Sequence, residues 1–261
     1  MEILAIAVLG VFALGYLVLG GADIGVGMLL PFLGRDGAER RVVLATVAPF
    51  FLGNEVWLVA TAGVLVGAFP DLEGELLSGL FPAVVALLAG WMVRDAGLWS
   101  RGRVEARAWA AGCDGAIVLG SWTVALSWGW MFAGLLAGVT DRVVTGPGAA
   151  LAALAVATLF AAHGLAFAGL RLAGPLRARA GAFSGRSGTA GEAQTFALTT
   201  AAMVALGLAV GLRLPLAESA VDSATLSLLV PAMAAVTPLL LAAQAWVWWI
   251  FRHRVHGPSY L

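Results

Sequence analysis

Residues 50–69, FFLGNEVWLVATAGVLVGAF, form an apolar run that holds an acid, Glu55, roughly in its middle, beside Asn54 and Trp57. An α-helix rises about 1.5 Å per residue, so ~20 apolar residues cross a ~30 Å hydrocarbon core. A carboxylate at such depth costs roughly 2.5–3.5 kcal/mol on insertion scales. A chain that keeps the acid either satisfies it with a hydrogen bond that packs helices, or uses it on a proton, ion or cofactor path. Intramembrane acids favour the second reading.

Six further runs of this kind follow the same logic, giving spans near 3–33, 43–69, 77–93, 111–137, 148–172, 196–213 and 224–251. The runs are continuous and do not alternate, which excludes a membrane barrel. Backbone in lipid must satisfy itself, so the spans are helices. Only 11% of the 261 residues are charged and 61% are hydrophobic, whereas a soluble domain carries about 25% charge. The expected fold is an all-α, polytopic membrane bundle of about seven helices in one domain, 1–261. The first run exceeds a signal-peptide core of ~7–15 residues and has only Glu2 before it, so it reads as a retained helix.

Arginine placement sets the orientation. Arg35, Arg40 and Arg41 follow the first span, Arg94, Arg101, Arg103 and Arg107 the third, Arg171, Arg177, Arg179 and Arg186 the fifth, and Arg252 and Arg254 the last. The alternate loops hold Arg142 and Arg213 against Asp71, Glu73, Glu75, Asp141, Glu218 and Asp222. This bias places the N-terminus outside and the C-terminus in the cytoplasm. Residues 173–195, rich in Gly, Ser, Ala and Arg without an apolar face, read as a flexible cytoplasmic loop. No internal repeat is evident. Zero net charge offers no field for nucleic acid, and the single cysteine, Cys113, excludes an internal disulfide or a Cys-based metal motif.

The candidate chemistry is sparse. Asp23 lies among Gly20, Gly21, Gly25 and Gly27, glycines that let a second helix approach closely. It is either an acid in a packing stripe or one held in a tight contact to take or pass a proton. Glu55 is its natural partner, and two such acids within a few Å could not both ionise easily. Arg94 could pair with Asp95, Asp114 or Asp23, or snorkel at the interface. Asp114 opens the fourth span, where an acid suits a helix N-terminus. His163 reads as a hydrogen-bonded packing residue more readily than as a ligand; His253 and His256 fall in the tail. One membrane histidine and six methionines equip the chain poorly to hold several haems. Trp122, Trp128 and Trp130, and Trp246, Trp248 and Trp249, suit interfacial anchoring, whereas Trp57 lies deeper, two positions after Glu55.

These motifs resemble a known family. GGADIGVGMLLPFLGR followed by VAPFFLGNEVWLVATAGVLVGAFP resembles the first two helices of subunit II of the cytochrome bd quinol oxidases. LFPAVVALLAGWMVRDAGLWSR, GSWTVALSWG, TLFAAHGLAFAGLRL and PLLLAAQAWVWWIFRHRV are similar, in order, to later helices of that family. The element Gly53-Asn54-Glu55-Val56-Trp57 is the most specific. The resemblance implies a haem-free partner of a haem-bearing subunit I, in a complex that oxidises a membrane quinol and reduces dioxygen to water. Haems b and d would belong to subunit I and none to this chain. Its first helices would contribute to proton supply and oxygen access, with Asp23, Glu55 and Arg94 in the matching positions. The resemblance leaves room for a structural quinone or lipid and for a small accessory subunit, and assigns the chain to the bacterial cytoplasmic membrane.

The chain also departs from the family pattern. Phe51 and Leu52 stand where the family has Trp-Asp, and Gly20 where it has an acid. The aspartate missing at Leu52 is a proton-path candidate in the family, so Glu55 would have to substitute. The family fold has about nine helices, so seven imply loss of a hairpin near the Gly/Ser/Arg segment. Two other readings stand beside this one. One is a free-standing proton-coupled carrier, resting on Asp23, Glu55 and glycine-broken helices. The other is a structural paralogue without a proton role.

Overall fold

A computed structural model describes residues 1–185 and 188–258. Arg186, counted above with the arginines after the fifth span, lies outside the described residues. Helices run in the order α1 (Glu2–Met28), α2 (Leu30–Leu33), α3 (Gly37–Leu44), α4 (Phe51–Ala68), α5 (Pro70–Gly79), α6 (Phe81–Ser100), α7 (Arg107–Leu136), α8 (Pro147–Arg171), α9 (Gly174–Ser184), α10 (Thr189–Gly211) and α11 (Ser223–Ile250). Seven of them, α1, α4, α6, α7, α8, α10 and α11, are long and apolar enough to cross a membrane.

Local chemistry starts several of these helices. Proline stands in the first turn of α2, α5, α6, α8 and α9, where its missing N–H costs nothing. Asp36 caps α3 by accepting from the amides of Ala38 and Glu39 at 2.9 and 2.8 Å. Asp222 caps α11 in the same way through Ala224 and Thr225.

Helix α1 is the hub of the bundle, touching α4, α7, α8, α10 and α11. Its residues from Gly20 to Met28 are buried on every side, as a central helix requires. Glycine makes this possible at two contacts. A Cβ on Gly25 would lie 2.0 Å from the carbonyl oxygen of Phe160, and one on Gly164 would lie 2.2 Å from the backbone of Gly25. Helices α1 and α8 therefore meet backbone to backbone. The α6–α7 contact uses the same device: a Cβ on Gly120 would lie 2.4 Å from the oxygen of Gly90 and 2.6 Å from the nitrogen of Arg94. Helices α10 and α11 lie at the periphery and bury little.

Three boundaries differ from the sequence reading. The second span is split: α3 ends at Leu44, a tight turn follows, and α4 begins at Phe51, so Glu55 sits in the second turn of its helix and not mid-span. The fourth span begins at Arg107, so Asp114 lies two turns inside α7 and caps nothing. Segment 173–195 holds α9 and the start of α10. Leu176 and Ala180, one turn apart on α9, pack into the core, and Arg179 ties the segment to α3 through Glu39 at 2.6 Å, while Arg177 pairs with Glu192 within the segment at 2.7 Å.

The ion pairs gather the arginine-rich segments at one end of the bundle. Arg101 and Arg40 both meet Asp114, Arg179 meets Glu39, and Arg177 and Arg254 share Glu192. At the opposite end Thr140 donates to Glu75, and the amide of Val221 donates to the carbonyl of Ala68.

Candidate functional site

Arg94 is the centre of a buried polar cluster. Its position on α6 is fixed by the close Gly90–Gly120 contact with α7, and its side chain reaches toward α1 and α4. That side chain is 2% exposed, and three carboxyl groups surround it: Asp23 at 3.0 Å, Asp95 at 2.8 Å and Glu55 at 3.6 Å. The guanidinium carbon also lies 5.9 Å from the ring centroid of Phe51. With all three acids ionised the cluster would carry a formal charge of −2, which low-dielectric surroundings penalise heavily.

The two acids singled out in the sequence differ in environment. The side chain of Asp23 is 5% exposed and held at both oxygens, Oδ1 by Arg94 and Oδ2 by the amide of Asn54, each at 3.0 Å. Glu55 accepts from the indole N–H of Trp91 at 2.8 Å, neighbours Asp95, and keeps 15% of its side chain exposed. A small cavity lies between them, lined by Tyr16, Asp23, Asn54, Glu55, Trp91 and Arg94. Its volume of about 10 Å³ is close to the room one water needs.

The cluster extends to α11 through side-chain amides. Asn54 donates to Asp23 and to the carbonyl of Leu19, while its own oxygen accepts from Gln244 at 3.1 Å. The oxygen of Gln244 in turn accepts from Trp57 at 3.2 Å. The Trp57 ring fills the groove left by Gly15, where a Cβ would lie 2.1 Å from it, and meets Phe12 edge-on. Gly53 faces Gln244 at ordinary van der Waals distance, so its contacts alone do not demand glycine. Gly20 is different. A Cβ there would meet the Tyr16 ring at 2.8 Å, so Tyr16 occupies the space that an acid at this position would need.

Asp114 and His163 stand apart from the cluster. Asp114 accepts from Arg101 at 2.5 Å and Arg40 at 3.3 Å, joining the end of α6 and helix α3 to α7. His163 bridges α1 and α10: Nε2 donates to the carbonyl of Val18 at 2.9 Å, and Nδ1 accepts from the hydroxyl of Thr199 at 2.8 Å. Its ring stacks on Phe196 with centroids 4.8 Å apart. With both nitrogens engaged, His163 does not fit an axial haem ligand, and among the described residues no group of three or more His, Cys, Asp or Glu could hold a metal ion. Leu52 is 49% exposed on α4.

The structure thus brings together Asp23, Asn54, Glu55, Trp57 and Arg94, and leaves Asp114 and His163 in structural contacts. Sequence reasoning missed Trp91, Tyr16 and Gln244. Gln244 carried a readable signal, as an amide in the apolar run LLLAAQAWVWW. Trp91 stands one helical turn before Arg94, a spacing that places both on one face.

Comparison with known proteins supplies the family context. Residues 1–217 match the family model described as cytochrome bd terminal oxidase subunit II. Cytochrome bd-I ubiquinol oxidase subunit 2 of Escherichia coli K12 is 38% identical over 134 residues, covering 51% of this chain and 35% of that protein. Cytochrome bd ubiquinol oxidase subunit 2 of Bacillus subtilis is 34% identical over 182 residues, covering 65% and 53%. The probable cytochrome oxidase subunit 2 of Haemophilus influenzae is 35% identical over 129 residues, covering 49% and 34%. The matches therefore span about a third to a half of the length of these relatives.

Proposed function

The chain belongs to the family of cytochrome bd terminal oxidase subunit II, and on that premise we propose that it is the haem-free membrane subunit of a quinol:oxygen oxidoreductase. The observation that carries this reading is the family match over residues 1–217. Haems b and d would be held by a subunit I partner, which would also oxidise the quinol, and the arginine-rich end of the bundle would face the cytoplasm. The engagement of both His163 nitrogens is consistent with redox centres held elsewhere. Family membership does not favour the free-standing carrier.

Within that assembly the two buried acids would divide the work. Asp23, closed off by Arg94 and Asn54, holds the guanidinium in place. Glu55 lies beside a cavity of single-water size, retains some exposure, and has Asp95 as a second carboxyl neighbour. One guanidinium facing three carboxyl groups leaves room for a proton to be held and exchanged among them. Glu55 would thus substitute for the acid absent at Leu52 as a proton-handling group.

The test is Glu55→Gln in the assembled complex, with oxygen consumption and its pH profile as readouts. The proposed role requires a turnover loss of about tenfold or more with intact haem absorbance, since positioned acid–base groups contribute about 10²–10⁴ where proton transfer limits rate. Unchanged turnover and pH profile in a fully assembled variant would leave the cluster a packing device. A preparation with neither haem absorbance nor a large membrane partner would remove the oxidase reading itself.

A further inference from the structure

Beyond α11 the chain turns back and docks on the end of α8. The amide of Val255 donates to the carbonyl of Arg171 at 2.7 Å, and Leu172 and Val255 form an isolated parallel bridge. Arg254 secures the turn by donating to the carbonyls of Gly169 and Leu172 at 2.7 and 2.8 Å. Between this tail and the turn preceding α4 lies a cavity of about 300 Å³, walled by Pro49, Arg171, Phe251, His253, Arg254 and His256.

Arg171 is the unusual member of that wall. It is only 6% exposed, yet among the described residues no carboxylate pairs with its side chain and no group accepts a hydrogen bond from it. Its guanidinium carbon lies 5.2 Å from the ring centroid of Phe50. The neighbouring arginines are answered differently: Arg254 meets Glu192 at 2.8 Å and Arg177 meets the same acid at 2.7 Å. One acid therefore serves two cations, and the third has no counter-charge. A buried, unpaired cation is strongly disfavoured. A planar guanidinium fork matches phosphate oxygens, and Phe50 supports its face.

We propose that this cavity is a phosphate-binding site centred on Arg171, built to take the phosphate of a membrane phospholipid headgroup. Its place favours the lipid source. It lies where α8 and α11 end, among the arginines that would line the interface, and its apolar walls at Pro49 and Phe251 suit the glycerol end of an acyl chain. The site is independent of the oxidase reading, since no group of the Arg94 cluster lines it.

The test uses the full-length chain in its native assembly, stripped of lipid by detergent exchange and examined by native mass spectrometry. It is titrated separately with short-chain phosphatidylglycerol, with diacylglycerol of the same acyl length, and with inorganic phosphate. The proposal expects saturable binding of phosphatidylglycerol at one site, at least tenfold weaker binding of diacylglycerol, and at least tenfold weakening by Arg171→Gln with partial recovery in Arg171→Lys. Inorganic phosphate that binds as tightly as the lipid would also support the site and make a soluble phosphate its ligand. Equal binding of diacylglycerol and phosphatidylglycerol by the unaltered protein would overturn it, whatever the variants do. So would unchanged binding in a folded Arg171→Gln protein, or no saturable binding at all, the result if a partner's carboxylate fills the cavity.

Discussion

Replacing Arg94 by methionine removes the cation that, among the described residues, pairs with Asp23, Glu55 and Asp95, while keeping a flexible side chain to fill space. Arg94 and Asp23 are 2% and 5% exposed at the side chain and 3.0 Å apart. Removing one member of a buried pair typically costs about 3–5 kcal/mol, because the survivor is left desolvated without a counter-charge. The membrane setting argues for the lower half of that range, since polar groups of an unfolded-in-membrane state find other partners. Asp23 also keeps its bond from Asn54. The expected loss is therefore about 3 kcal/mol, read from SDS-titrated unfolding in mixed micelles by tryptophan fluorescence. Asp23→Asn in the Arg94→Met background should restore part of it, giving a coupling of about 2 kcal/mol, within the range seen for contacting residues. A loss below about 1 kcal/mol, or strict additivity of the two changes, would refute the view that this pair anchors α6 to α1.

Two further outcomes follow from geometry described above. Gly164→Ala places a methyl group 2.2 Å from the backbone of Gly25, which no rotamer change relieves. Overpacking of about 3 kcal/mol, offset by about 1 kcal/mol of helix propensity, should lower stability by about 2 kcal/mol in the same unfolding titration; a neutral or stabilised variant would show that α1 and α8 separate easily. At the arginine-rich end, hydrogen bonds from Arg179 and from the Arg35 amide hold the Glu39 carboxyl down at about 2. A depressed carboxyl contributes stability that is fully present above its ordinary value near 4.5 and lost as pH falls through about 2. Amide exchange in α9 should therefore be insensitive to pH-linked opening between pH 5 and 7, and Glu39→Gln should loosen α9 across that window without requiring acid.

Much of the bundle was legible because charge is scarce in it. Asp23, Glu55 and Arg94 stand out in apolar runs, and all three meet in one cluster. The shorter elements were not legible. α3, α5 and α9 have eight to eleven residues, too few for a membrane-length signal, and each buries only two or three residues. The start of α7 was misjudged because Arg107 reads as loop charge, although RAWAAG is a good helix-forming sequence; Asp114 was displaced from cap to interior as a result. Gln244 and Trp91 carry local signals, an amide in an apolar run and a one-turn spacing from Arg94, but their partners Asn54 and Glu55 lie on other helices, which spacing within one helix does not encode.

The run of side chains from Trp57 through Gln244, Asn54 and Asp23 to Arg94 joins α4, α11, α1 and α6 by direct hydrogen bonds. Helix α11 otherwise buries little, held by Leu226 and Val230 and by Trp248 against Phe50, Phe167 and Phe196. Rotating it by one residue would carry Gln244 away from Asn54 and leave an amide group stranded in hydrocarbon. A neighbour that leans on this peripheral helix would thereby act, through two side-chain amides, on the buried guanidinium of Arg94.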